Sequence, residues 1–248
     1  MSGFLGSGDL YFNRKVGGVS QGRILLGNAT KFSIQPQSET KSRPSRMRAT
    51  YGQALDTVQI PAPSAISVIL DEVNKDNLAL AFMGSVGAYS QTGASVTDES
   101  VTAKLDKWVD LSDRNVSSVV VTDDPMSTTY TEGTDYEVHA RLGMIKALSG
   151  GSIGEGDPLL VDFTSGDIAG NRVQGATQPI IRGEFILDGK NFADDSLSIV
   201  TVWEATLAPS SEFDFLAEDF APIELGGTVV TPAGKTEPFI VDTDLVLS

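Results

Sequence analysis

Apolar and polar residues alternate along most of this chain, and the alternation changes period at one place. Between Ala54 and Gly84, Val58, Ile60, Ile66, Val68 and Leu70 alternate with smaller or polar residues, as in a strand with one buried face. Pro61 and Pro63 have no N–H to give to a ladder, so they predict a bend or an edge near the start of that strand. The period then lengthens. Leu78, Ala79, Phe82 and Met83 make an apolar stripe at helical spacing, preceded by the acidic and Asx cap candidates Asp71, Glu72 and Asn74. This predicts a helix over about 72–83 with Gly84 as its stop.

The rest of the pattern is of β type. Leu10–Phe12 start a strand, Gly17-Gly18 is a turn, and Phe32 and Ile34 alternate with polar neighbours as in a half-exposed strand. Residues 84–100 and 166–179 are small and polar and read as loops. Between them, KWVDL, SSVVV, TTYTEGTDYEVHA, GMIKAL and PLLVDFT are short strands set off by turn signals at Asp123-Asp124-Pro125, Gly150-Gly151 and Gly156-Asp157-Pro158. Longer strands follow in PIIRGEFILDG, SLSIVTVWEATLAP, FAPIELGGTVVTP and PFIVDTDLVL. Apolar residues on both faces of Ile199–Glu204 predict a strand covered on both sides, and SSEFDFLAEDF a short acidic turn or helix. The fold class is mainly β: a β-sandwich or partly closed barrel with one flanking α-helix and an inserted small β subdomain. Its core is built from residues 1–94 and 171–248, and the insert is 95–170.

Residues 37–53 (QSETKSRPSRMRATYGQ) interrupt this pattern with Lys41, Arg43, Arg46, Arg48 and Tyr51 and almost no apolar residue. A polar segment of this length between strands is uncommon in a compact domain and is usually functional. It reads as an extended arm at the tip of a hairpin. The chain as a whole carries −15, unevenly distributed: residues 1–75 hold nine Lys/Arg and five Asp/Glu, net +4, and the remainder is net −19. An acidic chain is a poor general binder of nucleic acid. A basic arm and an acidic surface elsewhere suit head-to-tail pairing of identical copies; the plain alternative is two solvated faces.

Composition narrows the chemistry. With 248 residues, 40% hydrophobic and 21% charged, the chain has room for one large domain or two small ones. The N-terminus lacks a secretory h-region and no apolar run approaches membrane-spanning length, which points to a soluble protein made in a cytoplasm. There is no cysteine, so no disulfide or thiolate metal site, and a single histidine, His139, rules against structural zinc. His139 lies in a strand pattern and reads as a sheet residue rather than a general base. GGSIGEG (150–156) lacks the Lys-Ser/Thr of a phosphate loop and reads as a turn. Asp188, Asn191, Asp194 and Asp195 do not match calcium-loop spacing and read as a polar hairpin turn. Trp108 and Trp203 suit core or interface anchors better than ligand platforms. The expectation is a protein that is not an enzyme, with no catalytic residues, cofactor or metal.

Taken in order, several phrases resemble one family. They are the GDLY start, LGNATKFSI, the basic arm ETKSR…YGQ, DEVNKDNLALAFMG, TTYTEGTDYEV…GMIKALSGGSI and the terminal TVWEATLAPSSEFDFLAEDFAPIELGGTVV. Together they are similar to the major tail tube proteins of long-tailed (siphovirus-like) bacteriophages, across most of the chain. The resemblance implies a β-sandwich or partly closed barrel with one flanking helix, in subunits that form hexameric rings stacked into a tube. DNA passes through the lumen without specific binding. It further implies partners in copies of the same chain, the tape measure and other phage tail proteins, no membrane anchor, and a place in the virion tail after assembly in the host cytoplasm. Lys41, Arg43, Arg46, Arg48 and Tyr51 would then form the inter-ring contact arm. The alternative is a virion decoration or carbohydrate-binding β-sandwich module.

Overall fold

The computed structural model describes residues 3–245. In chain order its elements are β1 (Gly6–Val16), β2 (Val19–Leu25), β3 (Ala29–Pro44), β4 (Ala54–Leu70), α1 (Lys75–Ala81), β5 (Ser85–Gln91), β6 (Ser95–Thr102), β7 (Trp108–Asp110) and β8 (Val116–Asp123). They continue with β9 (Tyr136–His139), β10 (Met144–Ala147), β11 (Pro158–Ser165), β12 (Ile168–Gln174), β13 (Ile181–Asn191), β14 (Leu197–Pro209), β15 (Ile223–Val229) and β16 (Phe239–Leu245). The protein is therefore mainly β, with one short helix among the described residues. The chain divides into two compact units, residues 1–87 with 173–248, and residues 88–172. The change of texture in the sequence put the insert at 95–170 instead.

In the first unit one large sheet runs in the order β2-β1-β13-β14-β15-β4-β3. It forks at β14. The first half of β14 pairs with β16, from Leu197↔Leu245 to Val202↔Phe239, and the second half with β15, from Ala205↔Val229 to Pro209↔Leu225. A register shift between Gly183 and Phe185 lies beside the fork. The fork and bulge let the β4–β3 end fold over the β1–β13 end, as a bulge increases local twist and bend. Phe185 on β13 thereby meets Phe12 on β1 at 4.6 Å and Phe32 on β3 at 5.7 Å between ring centroids. Leu10, Leu26, Val68, Leu70, Val202 and Leu225 complete a fully buried layer between the two halves. The result is a sandwich with a flanking helix. Among the described residues no sheet closes into a barrel, and the outer edges of β2, β3 and β16 are unpaired. Gly183 is required at the bulge: a Cβ there would sit 2.4 Å from the Phe12 ring and 2.5 Å from the Asn13 carbonyl oxygen.

The helix is shorter than its apolar stripe predicts. Asn74 caps it, with Oδ1 accepting from the N–H groups of Asp76 (3.0 Å) and Asn77 (2.9 Å), so Asp71–Val73 stay outside. Met83, at φ +46°, rather than Gly84 takes the left-handed position that ends it. The Gly84 N–H returns to the Ala79 carbonyl (2.7 Å) and the Met83 N–H to Leu80 (3.2 Å), a paired C-terminal stop. Asn77 is fully buried and ties the helix to the sheet: its Nδ2 donates to the carbonyls of Leu26 and Glu72, both at 2.8 Å.

The second unit has two three-stranded sheets, β7-β10-β9 and β6-β11-β8, around Val121, Tyr136, Ile145, Leu159, Val161 and Phe163. Its turns are held by carboxylates. Asp135 accepts from the backbone N–H groups of Thr131 and Ser152, each at 2.8 Å, which holds its carboxyl below the usual range. Asp123 does the same in the next turn, accepting from Ser127 Oγ (2.5 Å) and the Thr128 N–H (2.6 Å).

Two segments expected as loops are strands. Residues 84–100 hold β5 and the start of β6, and residues 166–179 hold β12, which pairs with β5 in a two-stranded ribbon. Most of the ribbon's side chains are exposed or only part-buried, so neither strand has the one buried face that produces an alternating signal.

Candidate functional site

The basic segment belongs to a long two-stranded hairpin. β3 and β4 pair from Ala29↔Leu70 to Pro44↔Ala54, with register shifts along the way. Only Ala65–Thr228 through Leu70–Ile223 also pair with β15, so residues 54–64 and their partners run on past the end of β15 as a two-stranded ribbon about 35 Å long at about 3.3 Å per residue. Residues 35–44 and 54–61 are exposed throughout. The arm read at 37–53 is thus the outer part of the hairpin: residues 37–44 are strand, and 45–53 form the tip. β4 begins at Ala54 and runs through Pro61 and Pro63, which lie on an edge as their missing N–H predicts. At this level β4 has β3 on one side only, and proline is tolerated on a free edge.

The tip is a structured turn. Ser45, 1% exposed, donates its N–H to the Gln53 carbonyl (2.7 Å) and accepts from the Gly52 N–H on its own carbonyl (2.9 Å). Its hydroxyl lies 2.7 Å from that of Thr50 and accepts from the Met47 N–H at 3.2 Å. Gly52 supplies the left-handed conformation the turn needs, at φ +85°. The turn therefore holds Arg46, Met47, Arg48 and Tyr51 outward, with Met47 61% and Tyr51 77% exposed.

Behind the tip the two faces of the hairpin differ. Directly paired residues share a face. Glu39, Lys41 and Arg43 face the same way as Ile60, Val58 and Asp56, while Ser38, Thr40 and Ser42 share the other face with Pro61, Gln59 and Thr57. One face is thus charged and apolar, the other uncharged and hydroxyl-rich. Lys41 stands 3.8 Å from Glu39, both well exposed, a contact that contributes little. Among the described residues Arg43, Arg46 and Arg48 form no ion pair. The structure brings all five sequence-predicted arm residues onto this hairpin: Lys41 and Arg43 on β3, and Arg46, Arg48 and Tyr51 on the tip.

Sequence reasoning missed a second surface. The loop between β14 and β15 contains no helix; it is irregular, with a single turn. Phe213 and Phe215 clasp Phe82 at the end of α1, at 5.9 Å and 5.6 Å, and each other at 5.0 Å. Beyond that anchor Leu216 and Phe220 are 90% and 91% exposed, among Glu212, Asp214, Glu218 and Asp219. The signal available was composition: apolar residues interleaved with acids at neither helical nor strand spacing.

The remaining candidates occupy ordinary structural positions. His139 ends β9 and meets the Trp108 ring edge at 5.8 Å, while Lys146 lies over the same ring at 5.0 Å. Trp203, on β14, is covered by Lys235 at 3.5 Å. Residues 150–156 form turns. Asn191 closes the β13–β14 hairpin, accepting from the Leu5 N–H (2.9 Å) and donating to Asp194 (2.8 Å), and Asp195 pairs with Lys190 at 2.5 Å. Among the described residues no group of three or more His, Asp or Glu is placed to hold a metal ion, and no helix is long and apolar enough to cross a membrane.

Residues 3–238 match the family described as "Protein of unknown function UCP028589", and the chain belongs to it. No curated protein matches the chain.

Proposed function

We propose that this chain, as a member of that family, is a structural subunit that self-assembles into stacked, hexameric rings: the tail tube of a long-tailed bacteriophage, a conduit for DNA. The observation that carries the reading is the β3–β4 hairpin, which runs about 35 Å past its last pairing with β15 and ends in an ordered turn bearing unpaired cations and exposed apolar side chains. An exposed ribbon carrying Leu55, Val58, Ile60, Met47 and Tyr51 is a contact surface awaiting a partner. Natural sheets protect or use their edges, and the free edges of β2, β3 and β16 suit continuation into neighbouring copies. A chain of net charge −15 offers acidic surface for the basic arm and repels phosphates from a lumen, so that DNA slides. The partners are further copies of the chain, the tape measure and other tail proteins, and the setting is the virion.

Negative-stain electron microscopy of the purified chain over a concentration series tests the reading, with light scattering on the same samples. Rings or hollow tubes are the expected result; a monodisperse monomer that binds glycans would replace it. That second reading, a decoration or carbohydrate-binding module, draws on Trp108, 42% exposed on the β7-β10-β9 sheet beside His139 and Lys146. An exposed indole on a flat sheet is a stacking platform for a sugar ring. Loss of glycan binding in Trp108→Ala would mark it.

A further inference from the structure

We propose that the hairpin tip of one copy docks on the 213–220 loop of another, with Met47 and Tyr51 packing against Leu216 and Phe220. This rests on the reading of the chain as a self-assembling subunit and names the surface that receives the arm.

Both segments present large apolar side chains at high exposure. Met47 and Tyr51 are 61% and 77% exposed at the tip, Leu216 and Phe220 are 90% and 91% exposed on the loop. Isolated exposed apolar residues are unremarkable, but here each pair stands on an anchored platform that holds it out. The tip is held by the Ser45, Thr50, Gly52 and Gln53 hydrogen bonds, the loop by the Phe82–Phe213–Phe215 ring cluster. At the tip little ordering remains to be lost on contact.

The charges around the two apolar pairs are opposite. Residues 44–55 contain Arg46 and Arg48 and no acid; residues 209–222 contain Glu212, Asp214, Glu218 and Asp219 and no Lys or Arg. Each apolar pair would thus be ringed by charges of one sign that meet the other sign on the partner, which fixes partner and register.

The topology makes the contact intermolecular. The loop leaves β14 at Pro209 and enters β15 at Ile223, which pairs with Leu70 at the far end of β4. The tip follows from the other end of β4, at Ala54. The 17 residues of β4 separate them, about 50 Å of strand. A tip and its receptor at opposite ends of one rigid ribbon join copies head to tail, a heterologous contact that propagates instead of closing on itself in a pair. The tip is small, well short of the roughly 1,000 Å² of a stable binary interface, so the contact gains its strength from several arms engaging at once.

The absence of native cysteine makes the test direct. Met47→Cys and Leu216→Cys chains, one carrying an affinity tag, are mixed in equal amounts under mild oxidation. The disulfide-linked dimers are separated by mass, and the same mixture is imaged by electron microscopy. Docking predicts the mixed dimer in excess over both homodimers by at least about tenfold, with the excess shrinking as salt rises. Both positions are exposed, so folding is not at stake, and circular dichroism checks it. A statistical mixture, dominant homodimers or no disulfide would overturn the docking. Tubes accompanied by that result would leave the subunit reading standing and this receptor wrong. A dominant mixed dimer without rings or tubes would support the docking and overturn the tube.

Discussion

Reversing the arm's charge by Arg43→Glu, Arg46→Glu and Arg48→Glu separates docking from folding. All three side chains are exposed, and none forms an ion pair among the described residues. Folding stability should therefore change by no more than about 0.5 kcal/mol for each substitution, a melting shift of about 2 °C or less apiece for a chain of this size. Assembly should change far more. Residues 39–56 carry four cations and two carboxylates, net +2; the variant carries one cation and five carboxylates, net −4. An exposed ion pair is worth about 0.2–1 kcal/mol, and turning attraction into repulsion roughly doubles the difference. Three such reversals cost about 3 kcal/mol per docked arm, a roughly hundredfold loss of affinity, repeated for every arm in a ring. Sedimentation velocity and negative-stain microscopy read the assembly, and a thermal melt on the same samples reads the fold. The expected variant is a well-folded, non-stacking subunit, and wild-type stacking should itself weaken with salt. Stacking that persists unchanged in a variant with an unchanged melt would refute the docking role of the arm.

Three further predictions concern the scaffold that holds these surfaces. Asn77→Ala removes two hydrogen bonds, a buried one to the Leu26 carbonyl and a part-buried one to that of Glu72, and should cost about 2 kcal/mol in chemical denaturation; a loss below about 0.5 kcal/mol would show that the helix is not tied to the sheet there. Gly183→Ala drives a Cβ into the Phe12 ring and the Asn13 carbonyl and should cost about 1–3 kcal/mol, whereas Gly170→Ala, at an open position without a left-handed backbone, should cost less than that; equal costs would contradict the close approach at the bulge. The second unit should lose stability in acid. The Asp135 carboxyl is held down by the N–H groups of Thr131 and Ser152, so its contribution is present above the unfolded carboxylate value of about 3.9 and is lost as pH falls from there through the folded value. Melts of Asp135→Asn should start lower at neutral pH and fall less steeply below about pH 4; an identical slope would remove Asp135 as a cause.

The tail-tube resemblance and the basic arm both came from local phrases. Lys41, Arg43, Arg46 and Arg48 stand out because a run of cations with almost no apolar residues is visible one residue at a time. What that run looks like in space was not visible. Residues 37–44 have no buried face, so they lack the alternation that identifies a strand; pairing with 54–62 is what makes them one. The ribbon of β5 and β12 was lost for the same reason. The helix boundary failed differently. The apolar stripe reports which residues face the core, while the start and stop are set by the Asn74 cap and the left-handed turn at Met83.

The sequence by itself determined the mainly β class, the single helix and the identity of most core strands, because burying one face of a strand or helix imposes a period on neighbouring residues. It also determined the segregation of charge and the lack of thiol chemistry, which are properties of composition alone. Only the tertiary structure decided that β14 is shared between β15 and β16, that the sheet folds Phe32 onto Phe185, and that the tip and the Phe213–Phe220 loop stand at opposite ends of β4. Those are relations between residues far apart in the chain. Strand pairing and exposure are settled by what the rest of the molecule places alongside, and the same FDFL residues, apolar enough for a core, lie partly outside one because no strand remains to cover them.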